Sequence, residues 1–297
     1  MKRIFLVLLS ILLSIAISSG VAFSYTATSK FYGNADEPNI LQDDDVEWMV
    51  SNDGNSTLDV GDGLQGVFRI PEINTFDITP GTIDAETGLG GVFEIEVLTK
   101  EYAGFNPDLG VDEYNYTFGP ATYSGAYDFN NPDSMVSLWE TEDPLSNFND
   151  DPGNVRTRQE LIDDVTDGDL LYEFGHIGDN PLERWSARNT NDEPWRGVNF
   201  STATVLGNFN SLLSTTYNDF LPIVQSPVTD ADGNVIGYID VTGSGSVRGI
   251  KEYDTSADLS SDLQYTFRTT PEPTTWFLLG TGLLVVAGLS RKKLMKS

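Results

Sequence analysis

Cysteine is absent from this 297-residue sequence, and histidine occurs once. Without cysteine there is no thiolate nucleophile, no thiolate metal site and no iron–sulfur cluster. The absence says nothing about compartment, because a chain of this length can bury a sufficient core without disulfides. A single histidine, His176 in EFGHIGDNP, cannot supply a zinc site needing several imidazoles. A Ser-His-Asp triad would have to be built on it, and a loop histidine hydrogen-bonded to its neighbours is the plainer reading. Basic residues are also scarce: 17 Lys and Arg stand against 45 Asp and Glu, for a formal net charge of −28. Such a chain repels nucleic acid and anionic lipid, which excludes a nucleic-acid role. It attracts counter-ions and cationic partners, and high charge also simply keeps a secreted protein soluble.

Six of the 17 cations stand at the two ends. Lys2 and Arg3 precede an uncharged, mostly apolar run from Ile4 to Ile17, followed by Ser18, Ser19 and Gly20. This is the pattern of a secretory signal peptide, residues 1–24, with Ala22 and Ser24 as the small residues before cleavage. The run is shorter than the roughly 20 residues of a permanent span, although an uncleaved anchor is the alternative. At the other end no charge occurs from Pro273 to Ser290, 18 residues or about 27 Å of helix. Arg291, Lys292, Lys293 and Lys296 follow, and cations beside a span stay on the cytoplasmic side, so the body faces outward. Pro271 and Pro273 hold Glu272 in an extended segment that a protease can bind without unwinding a helix. A plain single-pass anchor with an extended linker is the alternative reading. Between the two ends, residues 25–270 form an acidic domain with 44 acidic and 11 basic residues, a net charge of −33.

Pro271-Glu272-Pro273, the apolar run Trp276 to Leu289 with its three glycines, and the basic end Arg291-Lys292-Lys293, in that order, resemble the PEP-CTERM sorting signal of Gram-negative bacteria. The resemblance covers residues 271–297. A sortase signal would need a Leu-Pro-x-Thr-Gly core, which is absent, and a GPI signal lacks a basic end. The resemblance implies that exosortase, a membrane-embedded cysteine transpeptidase, recognises the signal and that cleavage falls near the proline motif. It implies two processing partners, signal peptidase and exosortase, and transient anchoring in the inner membrane before delivery to the cell surface or extracellular matrix. Carriers of this signal usually occur in bacteria that make exopolysaccharide. The expected function is therefore a noncatalytic surface or matrix protein associated with exopolysaccharide in biofilm or floc. Two alternatives stand beside it. A carbohydrate-binding module would show a platform of exposed Trp and Tyr, and a polysaccharide hydrolase or lyase would show a cleft with two carboxylates in unequal environments.

Within the body, Leu64–Ile70 and Val92–Leu98 alternate apolar and polar residues, as half-buried strands do. Asp230–Asn234 reads as a hairpin turn between Ile223-Val224 and Val235–Val241, and Thr255–Thr270 as a final strand region. Arg156–Val165 is the best helix candidate, with Asn154 as its cap, and Val205–Leu213 a second. The Gly243-Ser244-Gly245-Ser246 run lacks the ending of a P-loop and reads as a turn. Few helical patterns among many short strands predict a mainly antiparallel β-sandwich, jelly-roll-like, with one or two short helices. A subdomain boundary could fall in the polar stretch Thr141–Asn154.

Two clusters are candidate sites. Asp53, Asn55, Thr57, Asp59 and Asp62 offer oxygens at alternating spacing, as calcium loops do, without completing an EF-hand. Asx-rich turns use the same residues and need no ion. No other cofactor is implied. Trp185 and Trp195, with Arg184, Arg188 and Arg196, form the one region where aromatic and basic residues concentrate, the candidate for binding an anionic polysaccharide.

Overall fold

The computed structural model describes residues 31, 36–55, 57–74, 76–77, 87–108, 110–123, 127–141, 156–178, 180–189, 205–249 and 257–270. In chain order the elements are β1 (Asn39–Val50), β2 (Gly63–Ile73), β3 (Phe76–Asp77), β4 (Gly88–Asn106), β5 (Val111–Pro120), β6 (Ser134–Thr141), α1 (Arg158–Val165) and β7 (Asp169–Gly175). They continue with β8 (Arg184–Asn189), β9 (Val205–Asn218), β10 (Ile223–Val224), β11 (Ser226–Thr229), β12 (Val235–Ile239), β13 (Val241–Gly249) and β14 (Leu259–Thr269). The chain is mainly β, as expected, with one short helix among the described residues.

Every strand pairing is antiparallel, and the main sheet closes on itself. The circuit runs β1, β2, β4, β6, β7, β9, β13, β14 and back to β1. β4 and β9 are long enough to be shared: β6 and β7 bridge them at one end, β5 and β8 at the other. Two layers thus become one continuous wall around a single interior. Eight strand positions leave just enough room inside for side chains. Aromatic and aliphatic residues fill it, among them Phe68, Phe93, Phe118, Tyr172, Trp185 and Phe267, and each large side chain buried this way contributes about 1.5–3 kcal/mol.

The period-two segments become β2 and the first half of β4. Leu64, Phe68, Phe93 and Ile95 point inward, while Val67 and Val92 point outward beneath α1. That helix starts at Thr157 rather than Asn154, which lies outside the described residues. The Thr157 hydroxyl accepts the Glu160 N–H and the Glu160 carboxylate accepts the Thr157 N–H at 2.7 Å, a reciprocal capping box. Leu161, Ile162 and Val165 then cover Val46, Trp48, Val67 and Val92 on the outside of the wall.

Two sequence expectations are corrected. Residues 205–213 are not helical; they open β9, in which Phe209, Ser211 and Leu213 turn inward while Asn208 and Asn210 turn outward. Their apolar spacing satisfies both periods, and pairing with β8 and β13 decides for the strand. The Gly243–Ser246 run is not a turn but the middle of β13. Its glycines are needed for close packing: a Cβ on Gly245 would lie 2.1 Å from the Asp262 carbonyl oxygen, and one on Gly243 2.3 Å from Ser211 Oγ. The predicted Asp230–Asn234 hairpin turn forms, with Gly233 at φ 85° and the Asp230 carboxylate accepting N–H groups of Asp232 and Asn234. Its first strand is Ser226–Thr229, because Ile223 and Val224 pair with β14 instead.

Candidate functional site

Alternation along the closed wall puts one residue in two on the outside, and one outward residue on each of β5, β8, β9, β13 and β14 is a neutral hydrogen-bonding one in register with the next. Thr117 pairs with Ser186, Ser186 with Asn210, Asn210 with Ser244, Ser244 with Gln264 and Gln264 with Gln42. The row therefore crosses six strands, about 24 Å at the usual strand spacing. An open trough of about 400 Å³ runs over it, lined by Arg184, Ser186, Asn210, Ser244, Gln264 and Thr266. A second, of about 450 Å³, adjoins it through Ser186 and Asn210 and reaches Asn115, Thr117 and Arg188.

The residues predicted to contact a glycan are divided by the wall. Trp185 lies inside, 2% exposed, packed against Phe93 and Phe209, so its ring offers no face to a ligand at the surface. Arg184 and Arg188 are its neighbours in alternation and stand outside. Arg188 donates from Nε and Nη2 to Glu113, whose carboxyl is held below its usual range by hydrogen bonds from Asn106 and Arg188. Arg184 has no ion pair among the described residues. Trp195 and Arg196 lie outside those residues, as do Pro271, Glu272, Pro273, Arg291, Lys292, Lys293 and Lys296 and the signal segment 1–24. Exposed aromatic rings occur elsewhere among the described residues, at Tyr102 and Phe105 on the β4–β5 hairpin and at Tyr238 on β12.

The Asx loop after β1 is closed by its own hydrogen bonds. Asp62 accepts the N–H groups of Asn52 and Asp59, and Asp53 accepts that of Asn55. The Asn55 amide donates to both Asp53 and Asp59, while its oxygen accepts from Thr57. Lys100 Nζ sits 2.7 Å from Asp59, placing an ammonium against the carboxylate that a cation would need. No group of three His, Asp or Glu side chains suited to a metal ion occurs among the described residues.

A third cluster escaped the sequence reading. Asp43, Asp45 and Glu47 of β1 alternate with outward residues and so face the interior, none more than 2% exposed. The β1–β14 pairing is interrupted between Gln42↔Gln264 and Glu47↔Leu259, and the carboxylates stand in the gap. Asp43 accepts the Leu263 N–H at 2.6 Å, and Asp45 accepts both the N–H and the hydroxyl of Ser261. Ser261 Oγ also lies 2.8 Å from Glu47. A hydroxyl has one proton to give, so both contacts need a proton on a carboxyl. Burial supplies the reason: it raises all three carboxyls, Asp45 to about 7, and raises the Tyr265 hydroxyl in their midst. Asp43 Oδ2, Glu47 Oε2 and Tyr265 OH have no hydrogen-bond partner among the described residues. The sequence did carry a signal, since these acids share the odd-numbered alternation of Leu41 and Met49, which are core residues.

His176 follows β7 and donates its main-chain N–H to the Asp133 carbonyl at 3.0 Å. Burial lowers its imidazole below the usual range, and its Nε2 has no hydrogen-bond partner among the described residues.

No helix among the described residues is long and apolar enough to cross a membrane. No curated protein and no solved structure matches the chain. One family model does: the PEP-CTERM protein-sorting motif, over residues 269–292, beginning where β14 ends at Thr269. That match takes in Pro271-Glu272-Pro273, the uncharged run and the first basic residues, a signal that exosortase recognises and that brings transient membrane anchoring. The chain carries a PEP-CTERM sorting motif and is an exported, exosortase-sorted protein.

Proposed function

We propose that the processed protein is a noncatalytic surface or matrix component that associates with exopolysaccharide outside the cell. The observation that carries this reading is the sorting motif at residues 269–292, which directs the acidic body outward. Two features of the body support it. Its adjoining open troughs are lined by amide, hydroxyl and guanidinium groups, the chemistry that meets a hydroxylated polymer. The carboxyl pair Asp45 and Glu47 is sealed within the wall at 1% exposure, out of reach of a polysaccharide chain.

The test is the intact mass and location of the protein in producing cells with and without exosortase. In wild-type cells a form trimmed near Pro271–Pro273 should sediment with the exopolysaccharide fraction, and without exosortase a longer form should remain in membranes. Replacing Pro271 and Glu272 by Ala should reproduce the longer form. A full-length chain in the washed membranes of wild-type cells would reduce the protein to an ordinary anchored one.

A further inference from the structure

Thr117, Ser186, Asn210, Ser244 and Gln264 form a straight row because they are register partners on five adjacent strands. Each of these side chains both donates and accepts hydrogen bonds, as the hydroxyl groups of a sugar chain do. In a chain with 45 acidic residues, the row holds no carboxylate from β5 to β14. Along the row itself an anionic polymer meets no like charge. Arg184 and Arg188 stand two residues to either side of Ser186, about 6.7 Å away along β8, so a polymer following the row passes between two guanidinium groups. Glu113 holds Arg188 in place, whereas Arg184 lines the trough with no ion pair among the described residues. A guanidinium in that position forms a charge-assisted pair with a ligand carboxylate.

We infer that this face binds a uronate-bearing polysaccharide, laid across the strands along the Thr117–Gln264 row with a carboxylate against Arg184. The inference rests on the exopolysaccharide association proposed above and names its site and ligand class. It also replaces aromatic stacking with hydrogen bonding, because the rings beside the row, Tyr116, Phe118, Trp185, Phe209 and Tyr265, are turned into the interior.

The test is retention of the full-length chain, purified in mild detergent, on immobilised polygalacturonate, with dextran as the neutral polymer. Retention on polygalacturonate should exceed that on dextran by about tenfold, the size of one charge-assisted hydrogen bond. Arg184→Gln should bring the two polymers to the same level. Asn210→Asp, a carboxylate in mid-row, should weaken binding to polygalacturonate by about tenfold or more. Val235→Thr, at an exposed position on β12 away from the row, should bind as wild type, and unchanged melting curves for all three variants show that folding is intact. Equal retention on the two polymers overturns the uronate assignment. Undiminished binding by Asn210→Asp, or no retention of the wild type on either polymer, overturns the site. In cells the two proposals separate: if Asn210→Asp still sediments with exopolysaccharide, this site fails alone. If the wild type binds polygalacturonate but is absent from that fraction, the matrix role fails and the site stands.

Discussion

Along β14 the inward residues Ser261, Leu263 and Tyr265 meet three carboxyl groups from β1, whereas the outward Gln264 joins a surface row that has none. In so acidic a chain the opposite would be expected, acids outside and neutral groups within. What the contrast teaches is that pairing, and not composition, assigns the chemistry of each face. Inside, Asp43 and Asp45 take over main-chain N–H groups of β14 where the ladder is interrupted, which makes them acceptors in the wall itself. Burial penalises their charge and the shared proton removes part of it.

The contrast is broken most severely by separating β13 from β14. Gly245→Val should cost more than about 3 kcal/mol or prevent folding, because its Cβ has no room beside the Asp262 carbonyl and Leu263, and chemical denaturation measures the loss. Next in size is a dependence on pH that belongs to the inner face. A carboxyl raised by folding stabilises the protein when protonated, so its contribution is complete below its ordinary range near pH 4 and is lost as pH rises through about 7 for Asp45. Melting temperature should therefore fall from pH 5 to pH 8, by up to about 4 °C per unit for one proton in a chain of this size. Asp45→Asn should flatten that slope, and an unchanged slope would assign it to surface repulsion instead. Carboxyls held low by their partners, such as Asp59 beside Lys100 and Glu113 beside Asn106 and Arg188, act in the other direction and only at more acid pH.

A smaller effect distinguishes the part of the outer surface that α1 covers from the part that carries the Thr117–Gln264 row. Thr157→Ala removes the capping hydroxyl and should cost about 1 kcal/mol in a thermal melt, loosening the cover over Val67 and Val92. Smallest of all, Asn210→Asp in the exposed row should change stability by less than about 0.5 kcal/mol while weakening retention on polygalacturonate. A large loss of stability there would mean that the row is structural.

Local signals were legible where one element satisfied them by itself. Alternation revealed β2 and β4, Asp230–Asn234 revealed a hairpin turn, and Thr157-x-x-Glu160 lay just inside the helix candidate. Val205–Leu213 misled because Leu206, Phe209, Leu212 and Leu213 fit a helical stripe as well as a strand, and only the neighbours β8 and β13 distinguish them. Glycines in Gly243–Ser246 suggested a turn because their use, letting β14 approach closely, depends on residues about twenty positions later. Trp185 reads as a surface ring beside Arg188 in the sequence, although one step of alternation separates the inside of the wall from the outside.

The sequence by itself determined where the protein is sent, because a sorting motif is contiguous chemistry: prolines, an uncharged run and trailing cations need no folded neighbour to be recognised. It also determined the acidic balance and the β-rich class. Only the tertiary structure decided that the wall closes, that Asp43, Asp45 and Glu47 face inward, and that a neutral row crosses six strands outside. Those features join residues 220 or more positions apart, Asp43 with Leu263 among them, and no local pattern carries the register that brings them together.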